Sequence, residues 1–472
     1  MINKYIKPLA AVLTGLILYT SALAQESQTL MLMKGMSQSS NMNPALHLDS
    51  SKVVISLPGL SGAYFDVNSP FALHDLIHKG TGVLADSLVL DIENFHNQLK
   101  STNNIIQNVS MPLFYLGIRS KSSFFSFGVT ENAVTRFSFD KSLVTFIKDG
   151  NAPYVGKNYD LGNLDLDAFH YREFALGYSN EVIKNKLTVG IKAKMLYGKF
   201  GYQTQWMNQQ VETAADGTSI LLKSEMNINM SGPVNPEFDP QGKFNGMKNE
   251  NFDVVDYMLQ KGNTGMSFDL GAVYKLNSRF TFFGSVIDMG KISFKKDLNN
   301  LDYTFSYKWE GVDFSHSVDK SQQDYVDPAD LMEKEADKME DAFKPKRSDF
   351  SKEAFSMTVP MKIYLGGSYD LNDKVNFGLV ERLYKNGDFT QNGLTLSANT
   401  MVNNFFSVSG SYSAIGNSYA NLGLGMAIRA GFFQFYMVTD NVLAIAPSRT
   451  QYANARFGVN LLFGRQHLRN EL

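Results

Sequence analysis

The chain has 472 residues and a formal net charge of −2, with 19% charged and 12% aromatic residues, 35 Phe and 22 Tyr against 2 Trp, and no cysteine. No block of Lys and Arg stands out, which excludes the basic stripe of a nucleic-acid binder, and without thiols there are no disulfide staples, thiolate metal sites or cysteine nucleophiles. Abundant Phe, Tyr and Gly with modest charge suit strands that meet lipid on one side and a polar interior on the other.

In chain order, Lys4 and Lys7 come first, then an apolar run from Leu9 to Leu18, then Ala22-Leu23-Ala24. This pattern predicts a secretory signal peptide over 1–24, with Gln25 opening the mature chain. The apolar run is shorter than the roughly 20 residues of a membrane-spanning helix. No later stretch has 18 consecutive apolar residues. Asn43-Pro44-Ala45-Leu46 follows as a compact turn, in which Pro44 fixes the backbone and removes one donor.

Beyond it the chain alternates at period two. Candidate strands are Val53–Phe65, Val109–Arg119, Phe124–Thr130, Ala168–Ser179, Lys186–Gly198, Ser219–Met230, Gly265–Leu276, Phe280–Ile287, Ser356–Tyr369, Ser418–Ile428 and Ala453–Phe463. In the last, Ala455, Phe457, Val459, Leu461 and Phe463 share one face, and Asn454, Arg456, Gly458 and Asn460 the other. Many runs span nine to fourteen residues, longer than the ~5–6 of soluble strands and long enough to cross a bilayer at a tilt. Tight links at Asn277-Ser278, Leu371–Asp373, Val402-Asn403 and Ala430-Gly431 alternate with longer polar ones at Tyr384–Gln391 and Asn441–Gln451. Short turns on one side and longer loops on the other predict an all-β, transmembrane antiparallel β-barrel of about 14 strands.

Helical spacing appears twice, at Leu88, Ile92, Phe95 and Leu99 and again over Pro328–Lys344, where Met332, Ala336, Met339 and Phe343 share a face. The second helix lies in an insertion, 291–355, that parity places outside the cell. Gly232–Gly262, with Pro233, Pro236 and Pro240, reads as an irregular loop. The expected organisation is a signal peptide at 1–24, an N-terminal hatch or plug at 25–49, a barrel at 50–464 with its insertion at 291–355, and a tail at 465–472.

Chemistry is sparse. His74 and His78 stand four apart but lack the glutamate and third ligand of a zinc site. Asp160, Asp165 and Asp167 lack the spacing of a calcium loop. No nucleophile elbow, phosphate loop or dinucleotide fingerprint occurs. The sequence therefore predicts no catalytic residues, no metal and no cofactor, and the chain is read as a non-enzyme.

Two motifs remain. Arg456, Gly458, Leu461 and Phe463 resemble the terminal-strand signal read by the barrel-assembly machinery, whose logic is an exposed edge strand able to pair. Asn43, Pro44 and Ala45, together with Gly35, Met36, Ser37 and the strand Val53–Phe65, resemble the mature N-terminus of FadL-type long-chain fatty-acid transporters. The segment from Val438-Thr439-Asp440-Asn441 to Phe463-Gly464 is similar to uncharacterised Bacteroidetes-type outer-membrane barrels of that group, with the secretion-associated PorV a more distant relative. The resemblance implies a hatch containing Asn43, Pro44 and Ala45, a location in the bacterial outer membrane, and transport of a hydrophobic small molecule. A non-transporting barrel serving as a partner or scaffold in secretion, gliding or surface attachment is the alternative. The implied partners are outer-membrane lipid, the barrel-assembly machinery, and a hydrophobic ligand or a protein at the extracellular loops. A kink at Pro360 is a candidate opening in the wall, because proline removes a ladder hydrogen bond.

Overall fold

The computed structural model describes residues 28–33, 35–46, 51–56, 62–82, 85–249, 252–317, 325–403, 405–416 and 418–465. The signal-peptide reading and most of the tail fall outside these residues.

Fourteen wall strands close into one antiparallel barrel. They are β1, in two arms (Ser51–Ser56 and Ala63–Asn68), β2 (Thr102–Ser120), β3 (Ser123–Asp140), β4 (Leu164–Ile183), β5 (Leu187–Thr213), β6 (Asn263–Lys275) and β7 (Phe280–Phe294). The second half comprises β8, in two arms (Phe355–Thr358 and Met361–Asp370), β9 (Val375–Asn386), β10 (Phe389–Met401), β11 (Phe406–Ile415), β12 (Ser418–Ala430), β13 (Phe433–Thr439) and β14 (Tyr452–Arg465). β14 pairs with both arms of β1, Val54 opposite Leu462 and Phe65 opposite Ala455, so among the described residues each wall strand has a neighbour on both sides.

Period-two patterning explains the two faces. Phe125, Leu176, Ile191, Leu270, Phe282, Leu365, Leu396 and Leu424 point outward and are exposed, whereas Asn399, Ser409, Ser413, Asn421 and Asn460 on neighbouring strands are buried within the lumen. An apolar exterior around a polar interior is the arrangement of a membrane barrel. The links at 121–122, 184–186, 276–279, 371–374 and 431–432 are short and lie at the end that holds Ser51 and Arg465; we call it the periplasmic end. No described helix is long and apolar enough to cross a membrane.

Several expected elements differ. Tyr384–Gln391 is not a longer loop: β9 and β10 continue through it and turn at Gly387-Asp388, where Gly387 takes a φ of +58°. The strand Ile220–Ser231 is not in the wall. It pairs with the distal part of β5 and with Asn300–Trp309, and it extends the sheet beyond the barrel. The insertion thus begins after Phe294, since Lys291–Phe294 still pair with β8. Of the helix spaced from Leu88 to Leu99, only Ile92–Gln98 is helical. The loop at 232–262 contains a hairpin, Asn235–Phe238 with Phe244–Lys248, and a short helix, Val254–Leu259. The faces of β14 follow the expected alternation: Arg456 is buried in the lumen beside Gly458, while Leu461 pairs with outward Phe433 and Phe463 is exposed.

Candidate functional site: the barrel lumen

Residues 28–46 cross the lumen in its periplasmic half. They begin with a short helix, α1 (Gln28–Met31), all four of whose residues are buried. On one side α1 meets β10 to β13. The Gln28 and Thr29 amides each donate to Asp440, both at 3.0 Å, and the Thr395 hydroxyl donates to Gln28 at 3.0 Å. The Gln38 side-chain amide donates to Asn460 at 2.7 Å. On the opposite side the Ser285 hydroxyl donates to the Met42 carbonyl at 2.5 Å, and Lys192 Nζ to the Ser40 carbonyl at 2.6 Å.

Asn43, Pro44 and Ala45 are buried against β5, β6 and β7. Asn43 Nδ2 donates to the Ala272 and Gly284 carbonyls at 3.2 Å each, and its Oδ1 accepts the Ala45 amide at 2.9 Å. This side-chain turn is what the Asn-Pro-Ala order supplies locally. The wall makes room with glycine. A Cβ on Gly271 would stand 2.1 Å from Asn43 Oδ1, one on Gly190 would stand 2.5 Å from the Pro44 carbonyl carbon, and one on Gly378 would stand 2.0 Å from Leu32. Between these polar contacts, Leu30, Met31, Met33 and Met42 pack with Phe283, Tyr364 and Tyr436 in one buried apolar cluster.

Beyond this segment lies a small polar cavity of about 80 Å³. That is room for a few waters, each needing ~10–15 Å³. Its lining includes Tyr64, Asn132, Glu173, Lys192, Lys362 and Arg456. On one side Lys194 is ringed by carboxylates, Asp288 at 2.6 Å, Asp269 at 2.9 Å and Glu173 at 3.6 Å, and Lys362 reaches Asp288 at 3.0 Å. Local backbone sets this up. Asp288 occupies a left-handed conformation, φ +64°, at an irregularity in the β6–β7 ladder. β8 is interrupted opposite it at Val359-Pro360. Pro360, the expected kink, thus sits at a break in the wall's ladder, though the Val359 amide still donates to the Gly290 carbonyl at 3.1 Å.

On the other side of the cavity Arg456 is 2% exposed, its guanidinium over the Tyr64 ring at 5.3 Å from the centroid. Its Nε and Nη1 meet no hydrogen-bond acceptor among the described residues. A buried cation with idle donors is arranged to receive an anion or a strong acceptor. Toward the extracellular mouth, Phe169, Leu196, Ile292, Phe294, Phe355 and Met357 form a second apolar cluster. The lumen therefore has an apolar upper surface, a charged cavity and an apolar surface below.

Of the site residues expected from sequence, Asn43, Pro44 and Ala45 come together in the lumen, and Arg456 is buried facing the same lumen. Sequence reasoning missed Asp440, Lys194, Asp269 and Asp288. The available signal was the presence of charged rather than small residues on inward faces, as at Lys192 and Lys194. No described cluster of His, Asp and Glu could hold a metal ion.

With the geometry in hand, residues 44–440 match the model of a family of unknown function, DUF5723. The chain belongs to this family. No curated protein matches. Among solved structures, the chain is similar to a FadL homologue of Pseudomonas aeruginosa at 10% identity and TM-score 0.41, covering 94% of this chain and 100% of that one. It is also similar to the Pseudomonas putida toluene transporter TodX, at 8% identity and TM-score 0.37, covering 93% and 98%. A third is the translocator domain of the autotransporter NalP from Neisseria meningitidis, at 8% identity and TM-score 0.34, covering 90% and 93%.

Proposed function

We propose that this DUF5723 protein passes a hydrophobic molecule with an acidic or hydrogen-bond-accepting end across the outer membrane, with residues 25–49 acting as the hatch. One observation carries the reading: a buried Arg456 with idle guanidinium donors faces a cavity between two apolar surfaces of the lumen. The apolar mouth suits the body of such a molecule, and the cavity suits its polar end. The cavity as it stands is too small for the whole molecule, so passage requires the segment 28–46 to move. Its hydrogen bonds to Asp440, Ser285 and Lys192 are the contacts that would break.

The test is mass spectrometry of lipids copurifying in mild detergent, paired with conductance in planar bilayers. Reproducible enrichment of one apolar acid or ester, and a pore that opens when residues 28–46 are deleted, support the reading. A pore without any enriched species overturns the cargo and leaves the hatch. A deletion that stays closed overturns the hatch.

One feature favours a second reading, contact with a protein partner outside the cell. The extracellular strand Asn300–Trp309 pairs along its outer edge only at Asn300 and Leu301 among the described residues, and an unpaired edge can accept another strand. Proline at Thr304 would then abolish copurification of that partner without altering barrel assembly.

A further inference from the structure

The outer surface of β3, β4 and β5 changes character along its length. Near the periplasmic end it shows Phe125 and Phe127, then Leu176, Phe174, Ile191 and Met195, all on the lipid-facing side of the register. Further out, on the same face, Glu131 stands opposite Arg172 and Ala133 opposite His170. Arg172 Nε donates to Glu131, and His170 Nε2 lies 3.1 Å from the other Glu131 oxygen. Lys199, 1% exposed, sits at the irregularity where β4 and β5 slip register. Glu131 is the ninth residue of β3, and a strand crosses the hydrocarbon layer in about 9–11 residues. The polar group therefore stands at the extracellular boundary of the bilayer, on the outside of the barrel, where unshielded charge is unfavourable.

A short helix covers it. α2 (Val254–Leu259) is capped by the Asp253 side chain, which accepts the Asp256 amide at 2.8 Å. The Tyr257 hydroxyl lies 2.8 Å from His170 Nδ1, and the Gln260 carbonyl accepts from Lys199 Nζ at 2.6 Å. The helix thus turns the Tyr257 hydroxyl toward the wall and leaves an apolar set facing away from it: Phe252, Val254, Val255 and Leu259 are 45%, 61%, 62% and 57% exposed, with Asp253 and Asp256 exposed beside them. A loop helix in water has the opposite polarity.

We propose that α2 is an interfacial element whose Phe252, Val254, Val255 and Leu259 insert among the acyl chains of the outer leaflet. This inference rests on the membrane-barrel reading and is independent of any cargo. The occupant is lipid because these side chains continue the belt upward from exposed Met195, Met266 and Phe268. Exposed Lys261, two residues after the helix, has the length and charge to reach headgroup phosphates. Tyr257 and Gln260 make the arrangement workable, since they satisfy His170 and Lys199 without water.

The chain has no cysteine, so site-directed spin labelling needs no background changes. Single Val255→Cys, Phe268→Cys and Met332→Cys variants of the full chain are labelled with a nitroxide in phosphatidylcholine–phosphatidylglycerol vesicles. Collision with oxygen, which concentrates in lipid, is compared with collision with a water-soluble nickel chelate. At Val255 oxygen should dominate, as at the belt position Phe268, while nickel dominates at Met332 on the extracellular helix. Adding Tyr257→Phe should sharpen the Val255 spectrum through greater mobility. A Val255 label that meets nickel as readily as Met332, or that neither reagent reaches, overturns the proposal.

Discussion

Asp440 holds Thr29 twice, accepting its backbone amide at 3.0 Å and its hydroxyl as well. The second carboxylate oxygen takes the Gln28 amide at 3.0 Å and the Asn454 side-chain amide at 2.8 Å. One buried carboxylate thereby secures the first turn of the lumen segment to the wall.

Replacing that carboxylate releases the segment without dismantling the barrel. Asp440→Ala leaves the Gln28 and Thr29 amides buried without an acceptor, a local loss of about 3 kcal/mol, or ~100-fold in opening. Hydrogen exchange over residues 28–33 should rise by that factor while exchange in β3 and β4 stays fixed. Unchanged exchange at 28–33 would show that the apolar packing of Leu30 and Met31 holds the segment by itself.

The glycines of the inner wall are expected to be just as exacting. At Gly271 a methyl group meets Asn43 Oδ1 at 2.1 Å and Pro44 Cδ at 2.8 Å, whereas at Gly410 nothing lies within 4 Å. Gly271→Ala should lower unfolding stability in detergent by about 1–3 kcal/mol, and Gly410→Ala should have an effect within ~0.5 kcal/mol. Equal effects would mean that the Asn43–Ala45 turn does not rest on β6.

Arg456 separates stability from ligand handling. A buried cation replaced by an apolar side chain of similar length often costs nothing and can stabilise by about 1–4 kcal/mol. Arg456→Met should therefore unfold at the same or a higher denaturant concentration, yet lose any acidic molecule that copurifies with the parent. Retention of the molecule would remove Arg456 from the site.

The extracellular helix α3 (Pro328–Ala342) supplies a pH test. Asp341 is held below the ordinary carboxylate value of 3.8 by its bond to Lys243. Glu335 is held below 4.5 by Lys338 and then by Tyr307. Both shifts are depressions, so their contribution to docking is complete above the ordinary values and is lost as pH falls through the lowered ones. Corrected for intrinsic rate, hydrogen exchange in 328–342 should be level from pH 7 to 5 and rise near pH 3. A rise already at pH 6 would contradict the assignment.

Much of the barrel was legible because alternation reports which side chains share a face, as at Leu187 to Tyr197 or Ala455 to Phe463. It does not report what lies against that face. Ile220–Ser231 alternates like a wall strand yet stands outside the membrane, where its partners are Met207, Tyr303 and Phe305. Asn386-Gly387-Asp388 reads as a loop by composition, but Gly387 in a left-handed conformation lets two residues complete the turn. The turn at Asn43–Ala45 was visible because it is local. Asp440 was not, since its partners are more than 400 positions away and only closure of the barrel brings them together.

That separation has a consequence for how the molecule is made. The lumen segment leaves the ribosome before the wall strands, but Asp440, Asn454 and Asn460 follow it only after nearly all of the wall has been made. Its first turn can be seated only when the final two wall strands are in place, so a chain that stops before Asp440 keeps the contacts of residues 40–45 with β5 to β7 but lacks the anchor for Gln28 and Thr29. Occupation of the lumen by the first turn thereby reports that the last wall strand has met the first.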